Sequence, residues 1–264
     1  MMREPKLLIK FPTRGRPKQF FYVLTLYYQF MKGKNYEFVI SCDLDDPTMN
    51  NDIVRSHFKN FKNLTVSYSN NKNKVEAINA DLRNKKFDIL LLASDDMVPE
   101  IHGYDNIIRN CMAKHYHDTD GVLWFYDGHR SDLNTLCILG KKYYDRFGYI
   151  YNPEYKTWFC DNEFTQVAHM LKKHMFFKET IIRHMHPDFI KQSHDETFDR
   201  NNTQEEISHD EKLFLARQEA NFGVPEMVQK MLEEAKMKAS THKLNSGNRK
   251  SRRKNKSKRS KRKR

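Results

Sequence analysis

The sequence predicts an α/β fold with a mostly parallel central sheet flanked by helices. Short apolar runs alternate with helix-like segments through the first two thirds of the 264-residue chain, and this order is typical of β-α-β units. One apolar run, Ile89 to Leu92, lacks the alternation of apolar and polar residues that a half-exposed strand shows. We therefore expect it to form a central strand that is covered on both faces.

The N-terminal half alternates strands and helices in the order that a parallel sheet needs. Pro12 closes the first apolar run, and the spacing of Val75, Ile78 and Leu82 places three apolar side chains on one face of a helix. The predicted strands are 6–11, 37–41, 64–68 and 87–93, and the predicted helices are 18–31, 53–61 and 75–83.

The second half is predicted to mix strands and helices less regularly. Thr203 and Glu206 have the spacing of a capping box, and Pro225 is placed to open another helix. The predicted helices are 104–114, 161–172, 203–220 and 225–238, and the predicted strands are 121–126, 136–139 and 176–187.

The positive charge of the chain lies in its C-terminal tail. Residues 249–264 contain twelve Lys or Arg and no acidic residue, and subtracting them from the formal net charge of +13 leaves +1 for the first 248 residues. No apolar residue follows Leu244, so the tail cannot pack, and we expect it to be disordered. The predicted organisation is one domain over 1–200, a C-terminal helical extension over 201–240 and a polybasic tail over 241–264.

The cysteine spacing and the hydropathy of the chain indicate the cellular compartment in which the protein is expected. Four cysteines show neither the short paired spacing of a zinc knuckle nor the density of a disulfide scaffold, so we expect reduced thiols. The first apolar stretch is too short for a signal peptide, and no run approaches the ~20 apolar residues of a transmembrane segment. We expect a soluble, cytoplasmic protein.

An acidic pair ends the predicted central strand. Asp95 and Asp96 have no basic neighbour in the sequence, and adjacent carboxylates repel each other unless a cation or polar ligand offsets the cost. Open α/β sheets bind ligands at the carboxyl ends of their strands. The pair is therefore a candidate site for Mn²⁺ or Mg²⁺. The alternative is a turn or helix cap, since Ser94 and the aspartates are also turn residues.

Two polar loops are expected at the same edge of the sheet. The first strand is followed by Pro12, Thr13, Arg14 and Arg16, whose guanidinium groups could meet phosphate or a base, although a solvated loop is the alternative. Asp43 follows the second strand and could accept hydrogen bonds from a base or ribose. The chain has neither the GxGxxG motif of dinucleotide sites nor a P-loop motif.

Acids and histidines later in the chain complete the candidates. Asp161 and Glu163 open a helical pattern, so either carboxylate could act as a general base, although acids also favour the first turn of a helix. His184 and His186 share one face of a strand at their spacing, where both could reach a metal or a diphosphate.

Taken in order, these motifs resemble the GT-A glycosyltransferases, particularly the family 2-like enzymes, over roughly residues 6–200. The resemblance implies a Rossmann-like fold that binds a nucleotide-sugar donor, such as a UDP- or GDP-sugar, and transfers the sugar to a glycan, protein or lipid acceptor. The motifs that carry it are PTRGRP (12–17), CDLDD (42–46), KVEAIN (74–79), SDD (94–96), DNE (161–163) and HMH (184–186).

The resemblance also implies roles in donor binding. Thr13, Arg14 and Asp43 would hold the base, and Lys74 and Asn79 would lie near the nucleotide.

Other roles implied by the resemblance concern the metal and the chemistry. Asp95 would face the ribose, and Asp96 would bind the metal with His186 or His184. Asp161 would be the base of an inverting transfer, with Glu163 as the alternative. The chain departs from the family in having Ser-Asp-Asp instead of Asp-x-Asp, and Asp-Asn-Glu instead of the common Glu-Asp form.

Two other functions fit parts of the sequence. A sugar-phosphate nucleotidyltransferase also pairs acids with a nucleotide site, but it usually carries a glycine-rich first loop. A nucleic-acid-binding protein could act through the basic tail, which could equally tether the chain to an anionic surface, although no aromatic residue in the tail could stack on bases. Further candidates for the sugar or acceptor side are Trp124, Tyr126, Asp127 and His129, although core packing explains Trp124 and Tyr126 as well.

Overall fold

The computed structural model of the protein describes residues 3–185, 199, 203–233 and 237. The described residues up to Glu219 form one compact unit, and the described residues from Ala220 onward form a second. In the part of the chain that is described, no helix is both long enough and apolar enough to cross a membrane.

The first unit is built on a seven-stranded sheet, which confirms the predicted α/β class. Its strand order is β3-β2-β1-β4-β7-β6-β8, and a separate two-stranded sheet pairs β5 with β9. The strands are β1 (Leu7–Thr13), β2 (Tyr36–Asp43), β3 (Leu64–Ser69), β4 (Ile89–Leu92), β5 (Met97–Pro99), β6 (Val122–Phe125), β7 (Ile138–Gly140), β8 (His174–Phe177) and β9 (Ile182–His184).

The sheet is mostly parallel, as the alternating pattern predicts. β1 lies between β2 and β4 and is parallel to both, β2 is parallel to β3, and β6 is parallel to β8. Only β7 runs against its neighbours, β4 and β6. All four residues of β4 are buried, which confirms the central strand predicted from its unbroken apolar run.

The described residues of the first unit form seven α-helices besides the sheet. Asparagine side chains cap two of them: Asn51 accepts from Val54 N, and Asn73 accepts from Glu76 N. The helices are α1 (Pro17–Phe30), α2 (Asp52–Phe58), α3 (Lys74–Asn79), α4 (Tyr104–His115), α5 (Lys141–Phe147), α6 (Cys160–Met170) and α7 (Gln204–Glu219). In the second unit, residues 224–233 are helical, close to the helix predicted from Pro225.

The prediction of a single strand over 176–187 is wrong. The chain leaves the large sheet after Phe177, at the end of β8, and enters the small sheet as β9 at Ile182. β9 pairs antiparallel with β5, so His184 lies opposite Met97. This pairing brings the histidine beside the acidic turn that precedes β5, and it gives the small sheet its importance for the site.

The third helix is shorter than predicted. α3 ends at Asn79 because Ala80 adopts an extended conformation and Asp81 has a left-handed backbone with φ of 61°. Leu82 is nevertheless buried, as its place in the apolar pattern predicts. The helix α5 and the strand β5 were not predicted, and both are short.

A fully buried lysine lies in the middle of β1. The Lys10 ammonium donates to Ser41 Oγ, and the Ser41 hydroxyl donates to the Asp81 carboxylate. Burial lowers the pKa of Lys10 to about 8, although the Asp81 charge partly opposes this shift. The buried ammonium is therefore bonded to Ser41, which in turn is bonded to the Asp81 carboxylate.

Replacing Lys10 with methionine should remove a pH-dependent part of the stability. The folded protein loses this proton near pH 8, whereas the pKa of a free lysine side chain is 10.5. Between these values the unfolded chain binds more protons, so the free energy of unfolding of the wild type should rise with pH relative to the variant. The full rise would be on the order of 3 kcal/mol. Urea unfolding of both proteins between pH ~7 and ~10 measures it; parallel pH profiles would contradict it.

Candidate active site

One cleft of about 290 Å³ lies at the carboxyl edge of the parallel strands and contains most of the predicted site residues. The ends of β1, β2 and β4 contribute to its wall, together with the first residues of α3 and α6 and the last residue of β9. The predicted residues that line it are Pro12, Thr13, Arg14, Arg16, Asp43, Lys74, Asp95, Asp96, Asp161 and His184.

Three predicted residues are not part of this lining. Asn79 uses its amide to hold the backbone of Ile150 and Tyr151, so it supports the cleft from behind. Glu163 is buried and is held by partners described below. His186 lies outside the described residues.

At one end of the cleft, the loops after β1 and β2 are joined by ion pairs. Arg14 contacts Asp43 Oδ2 at 2.8 Å and Asp45 Oδ1 at 2.5 Å. The hydrogen bonds that Arg14 donates to Asp45 raise the pKa of Arg14 most, and the one that it donates to Asp43 adds to this shift. Asn71 donates to the other oxygen of Asp43 at 2.8 Å. This end therefore presents an ordered set of charged groups instead of a solvated loop.

Gly15 adds a second link between the same two loops. Its backbone has a φ of 75°, which glycine adopts without steric cost, and its N–H donates to Asp46 Oδ2 at 2.8 Å. Asp46 is buried and also accepts from Thr48. The hydrogen bond from Gly15 thus helps to fix the position of the loop that carries Arg14 and Arg16.

The acidic turn after β4 directs its two carboxylates to different partners. Asp95 Oδ1 lies 3.4 Å from Arg16 Nη1, and Gln19 donates to the Asp95 carbonyl at 3.0 Å. Asp96 accepts from the Ser94 hydroxyl and faces His184, with 3.5 Å between Asp96 Oδ2 and His184 Nε2. The two aspartates are therefore not equivalent.

His184 lies between two carboxylates. On its other side, Nδ1 is 3.8 Å from Asp127 Oδ2. Burial alone would lower the pKa of His184, but hydrogen bonding to Asp127 and Asp96 outweighs burial and raises the pKa to about 9. For Asp96, burial favours a higher pKa, and the charge and hydrogen bond of His184 reverse this and hold it well below its usual value. Asp96, His184 and Asp127 thus form an ion-paired chain.

Asp127 is a buried residue whose position behind His184 was not predicted. Its carboxylate accepts from the Thr135 hydroxyl at 2.6 Å and from the N–H groups of His129 and Arg130 at 2.8 and 2.6 Å. The backbone N–H of His184 in turn donates to the backbone carbonyl of Asp127 at 2.9 Å. The sequence signal is an apolar strand that ends in an aspartate, the same pattern as at β4.

The other side of the cleft is formed by residues 157–161. Asp161 lies in the first turn of α6, is partly buried, and lines the cleft with Trp158, whose side chain is exposed. Glu163 points elsewhere: its carboxylate accepts from Tyr155 OH at 2.8 Å and from Arg217 Nε and Nη2 at 2.7 and 2.8 Å. Of the two acids, only Asp161 faces the cleft.

Comparison with known proteins identifies the fold. No protein-family model matches the sequence, and no curated protein matches it. Among solved structures, the mannosyltransferase PcManGT from Pyrobaculum calidifontis, in complex with GDP-Man and Mn²⁺, matches with a TM-score of 0.58 and 13% identity, covering 69% of this chain and 57% of that chain. The chain has a GT-A-like glycosyltransferase fold.

A second protein supports the same GT-A fold. TarS 1–349 from S. aureus matches with a TM-score of 0.54 and 17% identity, covering 70% of this chain and 62% of that one. Its complex with UDP-GlcNAc matches with a TM-score of 0.51 and 15% identity, covering 67% and 58%. The chain thus spans about three fifths of the length of these structures. At these identities the comparison establishes the fold alone.

Proposed function

We propose that the protein is a glycosyltransferase that moves a sugar from a nucleotide-diphosphate sugar to an acceptor hydroxyl. The observation that carries the proposal is the convergence of the Asp43 cluster, the Asp96–His184 pair and Asp161 in one cleft of a GT-A fold. The matching structures were solved with GDP-Man and with UDP-GlcNAc, which makes both nucleotides reasonable donors to test.

The donor would bind along the edge formed by β1, β2 and β4. Asp43 and Arg14 offer a carboxylate and a guanidinium at the predicted base end, and Asp95, which lines the same cleft, would bind the ribose. Lys74, at the start of α3, also faces the cleft and adds a positive charge for the diphosphate. These proposed roles follow the positions of the strands: the ends of β1 and β2 would bind the base, and the turn after β4 would bind the ribose.

Asp96 and His184 suit a divalent cation such as Mn²⁺ or Mg²⁺. Their facing atoms, a carboxylate oxygen and an imidazole nitrogen, are 3.5 Å apart, and Mn²⁺ accepts both ligand types. Among the residues that the structure describes, no group of three or more His, Cys, Asp or Glu could hold a metal ion. The remaining ligands would therefore be diphosphate oxygens and water. When bound, the cation would stabilise the negative charge on the leaving diphosphate.

Asp161 is the proposed general base. It would accept the proton of the acceptor hydroxyl as the acceptor oxygen bonds to the anomeric carbon and the bond from that carbon to the diphosphate breaks. Attack from the face opposite the leaving group inverts the anomeric configuration. Asp161 lies in the first turn of α6, where the helix dipole interacts favourably with a negative charge.

A nucleotide-sugar screen tests the proposed function. UDP- and GDP-sugars are incubated with the full chain, with and without Mn²⁺, and release of the nucleoside diphosphate is measured. We expect release from at least one donor, dependent on the metal and absent in Asp96→Ala. If no donor releases nucleoside diphosphate under any of these conditions, the proposal is wrong.

Replacing Asp127 with asparagine should weaken metal binding without removing a metal ligand. Asp127 Oδ2 lies 3.8 Å from His184 Nδ1 and would orient the imidazole, and loss of such a supporting carboxylate typically costs ~10–100-fold in metal affinity. The readout is the Mn²⁺ concentration for half-maximal donor hydrolysis. The exposed Asp132→Asn variant is the control. An unchanged Mn²⁺ requirement would show that Asp127 only stabilises the loop at His129 and Arg130, whose N–H groups donate to it.

A further inference from the structure

One face of α7 contacts one stretch of chain, residues 154–163. The contacts come from Asp210, Phe214 and Arg217, which are four and three residues apart and therefore lie on the same side of the helix. Asp210 and Phe214 are buried, whereas their neighbours Glu211 and Lys212 are exposed. Asp210 and Arg217 lie at the two ends of this face and Phe214 lies between them. The face therefore makes hydrogen bonds and ion pairs as well as an apolar contact.

Asp210 provides the first of these contacts. Its carboxylate accepts from three successive backbone N–H groups: Lys156 at 3.0 Å, Thr157 at 2.8 Å and Trp158 at 2.8 Å. The side chain is completely buried, and convergent N–H donors are what stabilise a buried carboxylate. The loop 156–158 is thus shaped around an anion that α7 supplies.

Phe214 and Arg217 extend the contact toward α6. The ring of Phe214 stacks on Phe159 with 5.3 Å between centroids, and Phe159 has a left-handed backbone with φ of 59°, which costs free energy in a residue other than glycine. Arg217 makes a two-point ion pair with Glu163. Both anchors flank Asp161, one on each side in the sequence.

The segment held by α7 is also the segment that lines the cleft opposite the nucleotide end. Thr157, Trp158, Cys160 and Asp161 all face the cleft, and they follow one another in the chain. The loop reaches the start of α3 as well, because the Lys156 carbonyl accepts from Val75 N at 3.0 Å. By contrast, the contacts of Asp43 and Asp96 described above come from other segments of the chain.

We propose that Asp210 and Arg217 are positioning residues for the sugar-transfer step, acting through the 157–161 wall and its proposed base, Asp161. This inference rests on the proposed glycosyltransferase function. It separates the roles of two parts of the chain: the sheet edge binds the donor, and α7 fixes the wall where the acceptor hydroxyl is deprotonated. The contacts of Asp210 and Arg217 described above do not involve Asp43 or Asp96.

The test compares chemistry with donor binding in Asp210→Asn and Arg217→Met, with Glu211→Gln on the exposed side of α7 as the control. Donor hydrolysis is measured with Mn²⁺ and the nucleotide-sugar found in the screen, and binding is measured with the free nucleoside diphosphate. A misplacement of about 1 Å can cost about 100-fold in rate, so we expect kcat to fall ~10–100-fold while donor KM and nucleotide affinity stay within about 2-fold.

A fluorescence measurement reports on the wall when turnover does not. The chain has two tryptophans, and in a Trp124→Phe background Trp158 is the remaining fluorophore. Asp210→Asn should increase acrylamide quenching of Trp158, and Asp210→Glu should restore part of the wild-type value.

The outcomes separate the two proposals. Wild-type turnover together with unchanged kcat in both variants overturns the positioning role, and so does an equal loss of kcat and nucleotide affinity. If Asp210→Asn does not fold, Arg217→Met carries the test. Absence of turnover in the wild type refutes the proposed function and with it the positioning role, while the quenching measurement still reports whether α7 holds the wall.

Discussion

Replacing Asp96 with alanine is expected to abolish nucleotide-sugar turnover, lowering kcat by more than about 100-fold. The structure gives this carboxylate two close partners, the Ser94 hydroxyl and His184, and both lie at the cleft. Loss of one group that stabilises charge in a transition state costs ~10²–10³-fold. Removing Asp96 would take away a proposed metal ligand and would also leave His184 beside a cavity, so the loss should exceed that of a single hydrogen bond.

Asp95→Ala is the matched comparison because it changes the adjacent residue in the same turn. Asp95 pairs with Arg16 at the donor side, so its loss should raise the donor KM several-fold and leave most of kcat intact. Kinetics over a range of donor and Mn²⁺ concentrations separates the two effects. Equal and mild losses in both variants would return Ser94 to Asp96 to the role of an ordinary turn.

The parts of the fold that sequence patterns predict well are the buried strands of the central sheet. β4 was predicted because its four consecutive apolar residues suit a strand that is buried on both faces. The small sheet was not predicted, since β5 has three residues and its partner β9 lies far along the chain. A strand this short owes its conformation to its pairing, and pairing over such a separation leaves no local pattern in the sequence.

The cleft was largely predictable because the carboxyl ends of parallel strands meet at one edge. Polar residues after β1, β2 and β4 therefore had to come together. Sequence spacing could not distinguish Asp161 from Glu163, as both suit the first turn of α6. What distinguishes them is Arg217, which follows Glu163 by 54 residues and occupies its carboxylate. The same limit hid the role of Asp210, whose three partners are backbone N–H groups that every sequence contains.

Asp161→Asn is expected to lower the rate of transfer by ~10²–10⁴-fold, the usual contribution of a general base, with nucleotide affinity unchanged. The amide is nearly the same size as the carboxylate, so the first turn of α6 should keep its shape. It cannot accept a proton, and the acceptor hydroxyl would then attack without assistance. Single-turnover measurement of sugar transfer, alongside titration with the nucleoside diphosphate, distinguishes loss of chemistry from loss of binding.

Glu163→Gln separates a chemical role from a structural one, because this acid lies two residues away in the same helix. The change replaces a charged, two-point contact with Arg217 by a neutral one, and breaking a buried pair in this way typically costs ~3–5 kcal/mol of stability. We therefore expect a lower melting temperature and a smaller effect on kcat than in Asp161→Asn. The reverse pattern, in which Glu163→Gln abolishes turnover while the Asp161 variant remains active, would assign the base to Glu163. It would also require the ion pair with Arg217 to open during the reaction, since the carboxylate is otherwise occupied on the side away from the cleft.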